Sequence, residues 1–208
     1  IKAFDKMWSL YPNLKRSASM LQIATPSRGA IEAYGNLASE VAKLVTDVNG
    51  VHGEVDWTPI RYLNKGFGQG VLAGLYRTAQ VGVVTPLQDG MNLVAKEYVA
   101  AQNPADPGVL VLSKFAGAAN ELDAALLVNP HDIDGMARTL ATALAMPLTE
   151  RRMRWEAMME KLNGGTIQQW FADFIEALQD THNAGAAALP EPTSLWPRRA
   201  ADFAARYH

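Results

Sequence analysis

Short, solid apolar runs recur along this chain, each followed by a polar or glycine-rich turn and then by a stretch with helical spacing. Residues 20–24, 57–63, 81–84, 108–113 and 125–128 are the runs, and strand and helix alternate at least four times. A strand half-exposed to water alternates apolar and polar residues. A solid apolar strand belongs to a parallel sheet covered on both faces. The expected fold class is therefore α/β, with a parallel sheet flanked by helices.

The helices follow from the spacing of apolar residues. Residues 1–12 open the chain with Phe4, Met7, Trp8 and Tyr11 on one face and Pro12 as the stop. Because Ile1 is not a methionine and stands inside this helical pattern, the chain reads as cut from something longer. Residues 30–48 follow, with Ile31, Tyr34, Leu37, Val41, Leu44 and Val48 spaced by three and four, and Asn49-Gly50 as a C-terminal stop. Pro59 marks the start of a strand rather than its centre. Residues 64–70 form a glycine-rich loop, and 71–79 a short helix with Leu72, Leu75 and Tyr76 inward. Helices are expected from Asn92 to about Gln102, over 131–145, over a highly charged stretch at 149–162, and over 166–181. Residues 182–208 thin into Ala, Gly and Pro and read as a low-complexity tail, giving one domain over 1–181 and the tail beyond it.

Composition narrows the chemistry. With 19 basic and 21 acidic residues, a net charge of −2 leaves no electrostatic footprint for nucleic acid or an anionic membrane. No cysteine is present, so disulfides and thiolate metal sites are excluded. No apolar run reaches the ~18 residues of a membrane span and no signal peptide is visible, so a soluble cytoplasmic protein is expected. His52, His131, His182 and His208 have no partners at ligand spacing, and no serine nucleophile elbow or paired-carboxylate motif appears.

One stretch does carry chemistry. Residues 85–97, TPLQDGMNLVAKE, join the 81–84 strand to a helix start. Ligands of open α/β sheets sit at the carboxyl ends of strands, and a helix start offers free N–H groups to anions and hydroxyls. Asn92 is a good N-cap. Asp89 and Glu97 bracket the helix start, either as ligand contacts or as a turn cap and a solvated charge. Arg28 follows a strand and precedes a helix, where it either grips a phosphate or lies on the surface. The small residues of 115–121 mark a close backbone approach, to a ligand or to another strand.

These motifs stand together in a recognisable order. TPLQDGMNLVAKEYVAAQ at 85–102, PSRG at 26–29, WTPI at 57–60, VLVLS at 109–113 and FAGAANEL at 115–122 resemble the signature of the trehalose-6-phosphate synthases over residues 1–177. The resemblance implies a two-domain GT-B glycosyltransferase, of which this chain is the C-terminal, Rossmann-like, nucleotide-sugar-binding domain with C-terminal helices. It implies transfer of glucose from UDP-glucose to glucose-6-phosphate with retention, without a metal or other cofactor, releasing UDP. Asp89, Gly90, Met91 and Asn92 would contact the transferred glucose, with Asp89 as the catalytic position. Leu93 and Val94 would meet the phosphates and Glu97 the ribose, and Ala95 and Lys96 belong to the same donor segment. Phe67 would present its backbone to uracil, and Arg28 would reach the acceptor phosphate.

The resemblance also implies a partner, the N-terminal domain of the same enzyme. That domain would supply the acceptor site and an Arg…Lys pair that grips the diphosphate. Without it the chain is expected to be catalytically silent and open to self-association. Glucosylglycerol-phosphate synthases, pseudo-glycosyltransferases and a stand-alone nucleotide-sugar-binding module remain alternative readings.

Overall fold

The computed structural model describes residues 1–25, 32–164, 171–172 and 174–179. The chain divides into two compact units, Ile1–Asn163 and Gly164–His208. In the first unit the five apolar runs are strands: β1 (Met20–Ile23), β2 (Ile60–Leu63), β3 (Val81–Val84), β4 (Val109–Ser113) and β5 (Leu126–Val128). All pairings between them are parallel. The strand β4 is buried along its whole length, as a solid apolar run in a covered sheet requires. β2 begins directly after Pro59, whose carbonyl accepts the Met20 N–H at 2.8 Å.

The ladders form two sheets rather than one, β1–β2 and β3–β4–β5. The expected full burial holds for β4 alone: no residue of β1 is buried and Leu21 is exposed, and in β2 only Ile60 is buried. Apolar patterning also does not report which strands exchange hydrogen bonds. A shared core bridges them, with Ile60 from the first sheet and Val109, Val111 and Val128 from the second.

The helices are α1 (Lys2–Leu10), α2 (Glu32–His52), α3 (Gln69–Thr78), α4 (Leu93–Ala101), α5 (Ile133–Ala145) and α6 (Leu148–Gly164). α1 buries Phe4, Met7 and Trp8 and ends before Pro12, as its spacing predicts. It lies on α5, whose Met136 and Leu140 share its core. α2 departs from expectation. It runs through Asn49-Gly50 to His52, and Leu37 is exposed while Val45 and Val48 are buried. The reason is tertiary. The Asn49 amide donates to the Ile60 carbonyl at 2.8 Å and accepts the Ile60 N–H at 2.9 Å, so the residue that would cap the helix instead serves as a ladder partner for β2.

Over β3 and β4 lies α4, held by Tyr98. Its hydroxyl donates to the Ala79 carbonyl at 2.9 Å, and burial pushes its pKa well up, so it stays a donor. Gly108 lies beneath it. A Cβ there would overlap the Tyr98 hydroxyl and stand 2.7 Å from the Ala79 carbonyl and 2.8 Å from that of Gln80. α6 covers the far end of α4, where Trp155 Nε1 donates to the Val99 carbonyl at 2.9 Å. Among the described residues no helix is long and apolar enough to cross a membrane. Of the helix expected over 166–181, the described positions are helical; the tail expected over 182–208 lies outside the described residues.

Candidate functional site

The carboxyl end of β3 leads through residues 85–92 into α4, and this turn is held from two sides. From within, Asp89 closes it. One carboxylate oxygen accepts the Met91 N–H at 3.1 Å and the other accepts the Asn92 side-chain amide at 2.9 Å. The Met91 N–H first, and then the Asn92 amide, hold the Asp89 carboxyl below the usual carboxylate range. From outside, the loop after β4 holds it. Asp89 N–H donates to the Phe115 carbonyl, Gly117 N–H to the Asp89 carbonyl, and Ala118 N–H to the Met91 carbonyl, at 3.2, 2.8 and 2.7 Å. Asp89 and Ala116 thus pair as a parallel bridge past the end of the β3–β4 ladder. The small residues of 115–121 are explained at Gly117, where one backbone meets another.

Asn92 caps α4, its side-chain oxygen accepting the Ala95 N–H at 3.0 Å. Its backbone is left-handed, with φ 71°. Asn is one of the few residues with a side chain that enters this region at small cost. The cap occupies only one donor of the helix start. Among the described residues the N–H groups of Leu93 and Val94 have no hydrogen-bond partner. Both residues are exposed, at 56% and 44%. Two free donors at the positive end of a helix, at the carboxyl edge of a parallel sheet, are chemically suited to an anion. Asn92→Ala is expected to lose the cap and place alanine in left-handed backbone. The expected cost is about 1–2 kcal/mol, read as a lower thermal midpoint.

The segment expected to act together divides when built. Asp89, Gly90, Met91 and Asn92 form the turn, and Leu93 and Val94 the helix start. The Ala95 side chain is fully buried beneath the helix, so only its capped backbone belongs to this end. Lys96 reaches both carboxylate oxygens of Glu121, at 2.8 and 2.7 Å, rather than its neighbour Glu97. This ties α4 to the loop after β4, across a separation in sequence that local patterning does not report. The Glu97 carboxylate is exposed and has no ion pair among the described residues. Phe67 lies half-buried in the loop after β2, with the Lys65 ammonium 5.0 Å from its ring centroid. No hydrogen bond or ring contact joins Phe67 to the β3–α4 turn among the described residues. Arg28 lies outside the described residues. No group of three or more His, Asp or Glu that could hold a metal ion occurs among the described residues.

Parallel strands flanked by helices, with a capped helix start at their carboxyl edge, define a Rossmann-like α/β domain, and the solved structures that it resembles are GT-B glycosyltransferases. Within that type the chain belongs to glycosyltransferase family 20, whose family model matches residues 1–180. It is 52% identical over 178 residues to a trehalose-6-phosphate synthase of Sinorhizobium fredii, an alignment covering 86% of this chain and 38% of that protein. It is similar to a crystal structure of an alpha,alpha-trehalose-phosphate synthase (UDP-forming) from Burkholderia xenovorans in complex with glucose-6-phosphate. There the identity is 51% and the TM-score 0.83, over 86% of this chain and 40% of the other. A structure of the E. coli protein bound with UDP-2-fluoro glucose is 44% identical with a TM-score of 0.83, over 91% of this chain and 40% of that one. The chain therefore spans about two-fifths of the length of these relatives.

Proposed function

We propose that this chain is the donor-binding part of a trehalose-6-phosphate synthase. In this reading it holds UDP-glucose while glucose passes, with retention, to glucose-6-phosphate, giving trehalose-6-phosphate and UDP. The observation that carries the reading is the start of α4, where two exposed N–H groups stand free beside a capped, carboxylate-braced turn. Its likeness to proteins bound to glucose-6-phosphate and to a UDP-glucose analogue supports the same assignment.

The Leu93 and Val94 N–H groups would receive the diphosphate, and the helix dipole would stabilise the charge that builds on it as the glycosidic bond breaks. Asp89 is an acceptor only and is engaged by the turn, so its role would be to orient the turn and the sugar hydroxyls, not to attack. Glu97, exposed on the next turn of α4, would accept from ribose hydroxyls. Phe67 would meet the uracil through its backbone, and Arg28 the acceptor phosphate. The site uses no metal in this reading, since backbone donors and the partner domain's basic pair take the diphosphate. That partner domain, outside this chain, would also supply the acceptor pocket. The reading places the enzyme in the cytoplasm.

Titration calorimetry on the folded 208-residue chain tests this. UDP and UDP-glucose are expected to bind, and no trehalose-6-phosphate is expected to form without the partner domain. Glu97→Ala is expected to weaken UDP by roughly ten- to a hundredfold, the equivalent of one charge-assisted hydrogen bond of about 1.5–3 kcal/mol. A folded sample that binds neither ligand would overturn the assignment.

A further inference from the structure

We propose that Gly117 is a positioning residue for the donor site, and that the loop of residues 115–118 is a backbone template fixing where the β3–α4 turn stands. The inference rests on the reading that this turn holds a nucleotide sugar. Three backbone hydrogen bonds join Asp89 and Met91 to residues 115–118, one donated by Asp89 N–H and two donated by Gly117 and Ala118 N–H, so both sides of Gly90 are tied to that loop. A Cβ on Gly117 would overlap the Gly90 carbonyl oxygen and stand 2.7 Å from its carbon and 3.2 Å from the Met91 nitrogen. The position carries no side chain to offer a ligand. Its contribution is the space it leaves.

The loop is not free to yield to an added methyl. Ala116, Ala118 and Ala119 are buried at 3%, 1% and 7%, in one core with Leu112 and Leu122. The turn is the softer side, because Gly90 and Met91 are exposed. Gly117→Ala therefore pushes Gly90 outward by about an ångström, the shift that brings an overlapping Cβ to a tolerable separation. Asp89 and Met91 flank Gly90, so the carboxylate that accepts from Met91 N–H and the Asn92 amide moves with it. The cap on Ala95 and the direction of the Leu93 and Val94 N–H groups depend on that arrangement. Misplacing binding groups by about an ångström can cost up to a hundredfold in rate, without any contact to the reacting atoms being removed.

The test uses the parent synthase at full length, with Gly117→Ala and, as a control, Gly74→Ala, where an added Cβ on α3 meets nothing within 4 Å. For Gly117→Ala, the KM for UDP-glucose is expected to rise about tenfold or more, while the KM for the acceptor sugar stays within about twofold. Gly74→Ala is expected to match the wild type. An unchanged UDP-glucose KM in folded Gly117→Ala overturns the proposal. So does an equal rise in both KM values, which marks a general loss of structure. A second measurement does not depend on the variant folding. In wild-type enzyme, added UDP is expected to slow hydrogen exchange at the Gly117 and Ala118 amides together with residues 89–97. Protection confined to 89–97 overturns the template. Wild-type enzyme that does not bind UDP-glucose removes the donor reading itself, an outcome distinct from binding that ignores the change at Gly117.

Discussion

On the proposed reading, Asp89→Ala in a full-length synthase that carries this chain is expected to lower kcat/KM for UDP-glucose by about a hundredfold, a loss of positioning rather than of a reacting group. The Asp89 carboxylate is the one side chain that closes the turn from within, accepting from the Met91 backbone and the Asn92 amide. Without it both donors lose their partner, Asn92 loses the brace that aims its cap at Ala95, and the start of α4 is free to fray. Asp89→Asn keeps the shape and is expected to fall between the two. It can still accept from Met91, but it turns an amide toward the Asn92 amide. The pH dependence has a definite sign. The folded carboxyl is held below its ordinary value, so its share of the turn's stability is complete above the ordinary carboxylate pKa of about 3.9 and is lost as pH falls through the lower folded value. Steady-state kinetics from neutral pH downward would read both effects. A kcat/KM for Asp89→Ala close to wild type would show that the turn keeps its geometry through the 115–118 loop alone.

Gly108→Ala is expected to destabilise the domain by about 3 kcal/mol, at the upper end of ordinary overpacking. The reason lies in what surrounds the added methyl: the Tyr98 hydroxyl and the carbonyls of Ala79 and Gln80. Two of the three are backbone, and the third is a buried side chain held by its own hydrogen bond to Ala79. Relief requires β4 to move away from the connection before β3, or Tyr98 to give up its partner. In a chain of this size the cost corresponds to a fall in thermal midpoint of roughly 6–12 °C. A melting curve indistinguishable from wild type would mean that Tyr98 swings aside freely and does not fix the seat of α4.

The strand β4 was legible because full burial writes itself as an unbroken apolar run, VLVLS; the other four strands keep the apolar run but are only partly buried. The start of β2 was legible from Pro59, and the start of α4 from Asn92, because both signals are local in sequence. The end of α2 was not. Asn49-Gly50 has the chemistry of a stop, but the Asn49 amide is occupied by Ile60, a partner that only the folded chain brings near. The same holds for the pairing of Lys96 with Glu121, for the burial of Ala95 and for the contact of Gly117 with Gly90. In the last case the run of small residues announced a close approach, and tertiary structure supplied its object. The division into two ladders is likewise silent in a pattern that records burial alone.

The bridge between Asp89 and Ala116 extends the hydrogen-bonding of β3 and β4 beyond the strands themselves. The turn after β3 and the partly buried loop after β4 therefore share one register. A residue added within 85–89 or within 113–116 displaces every one of the three bonds between the loops at once. Their lengths can change only in concert, so divergence along this edge is confined to exposed side chains such as those of Leu87 and Phe115.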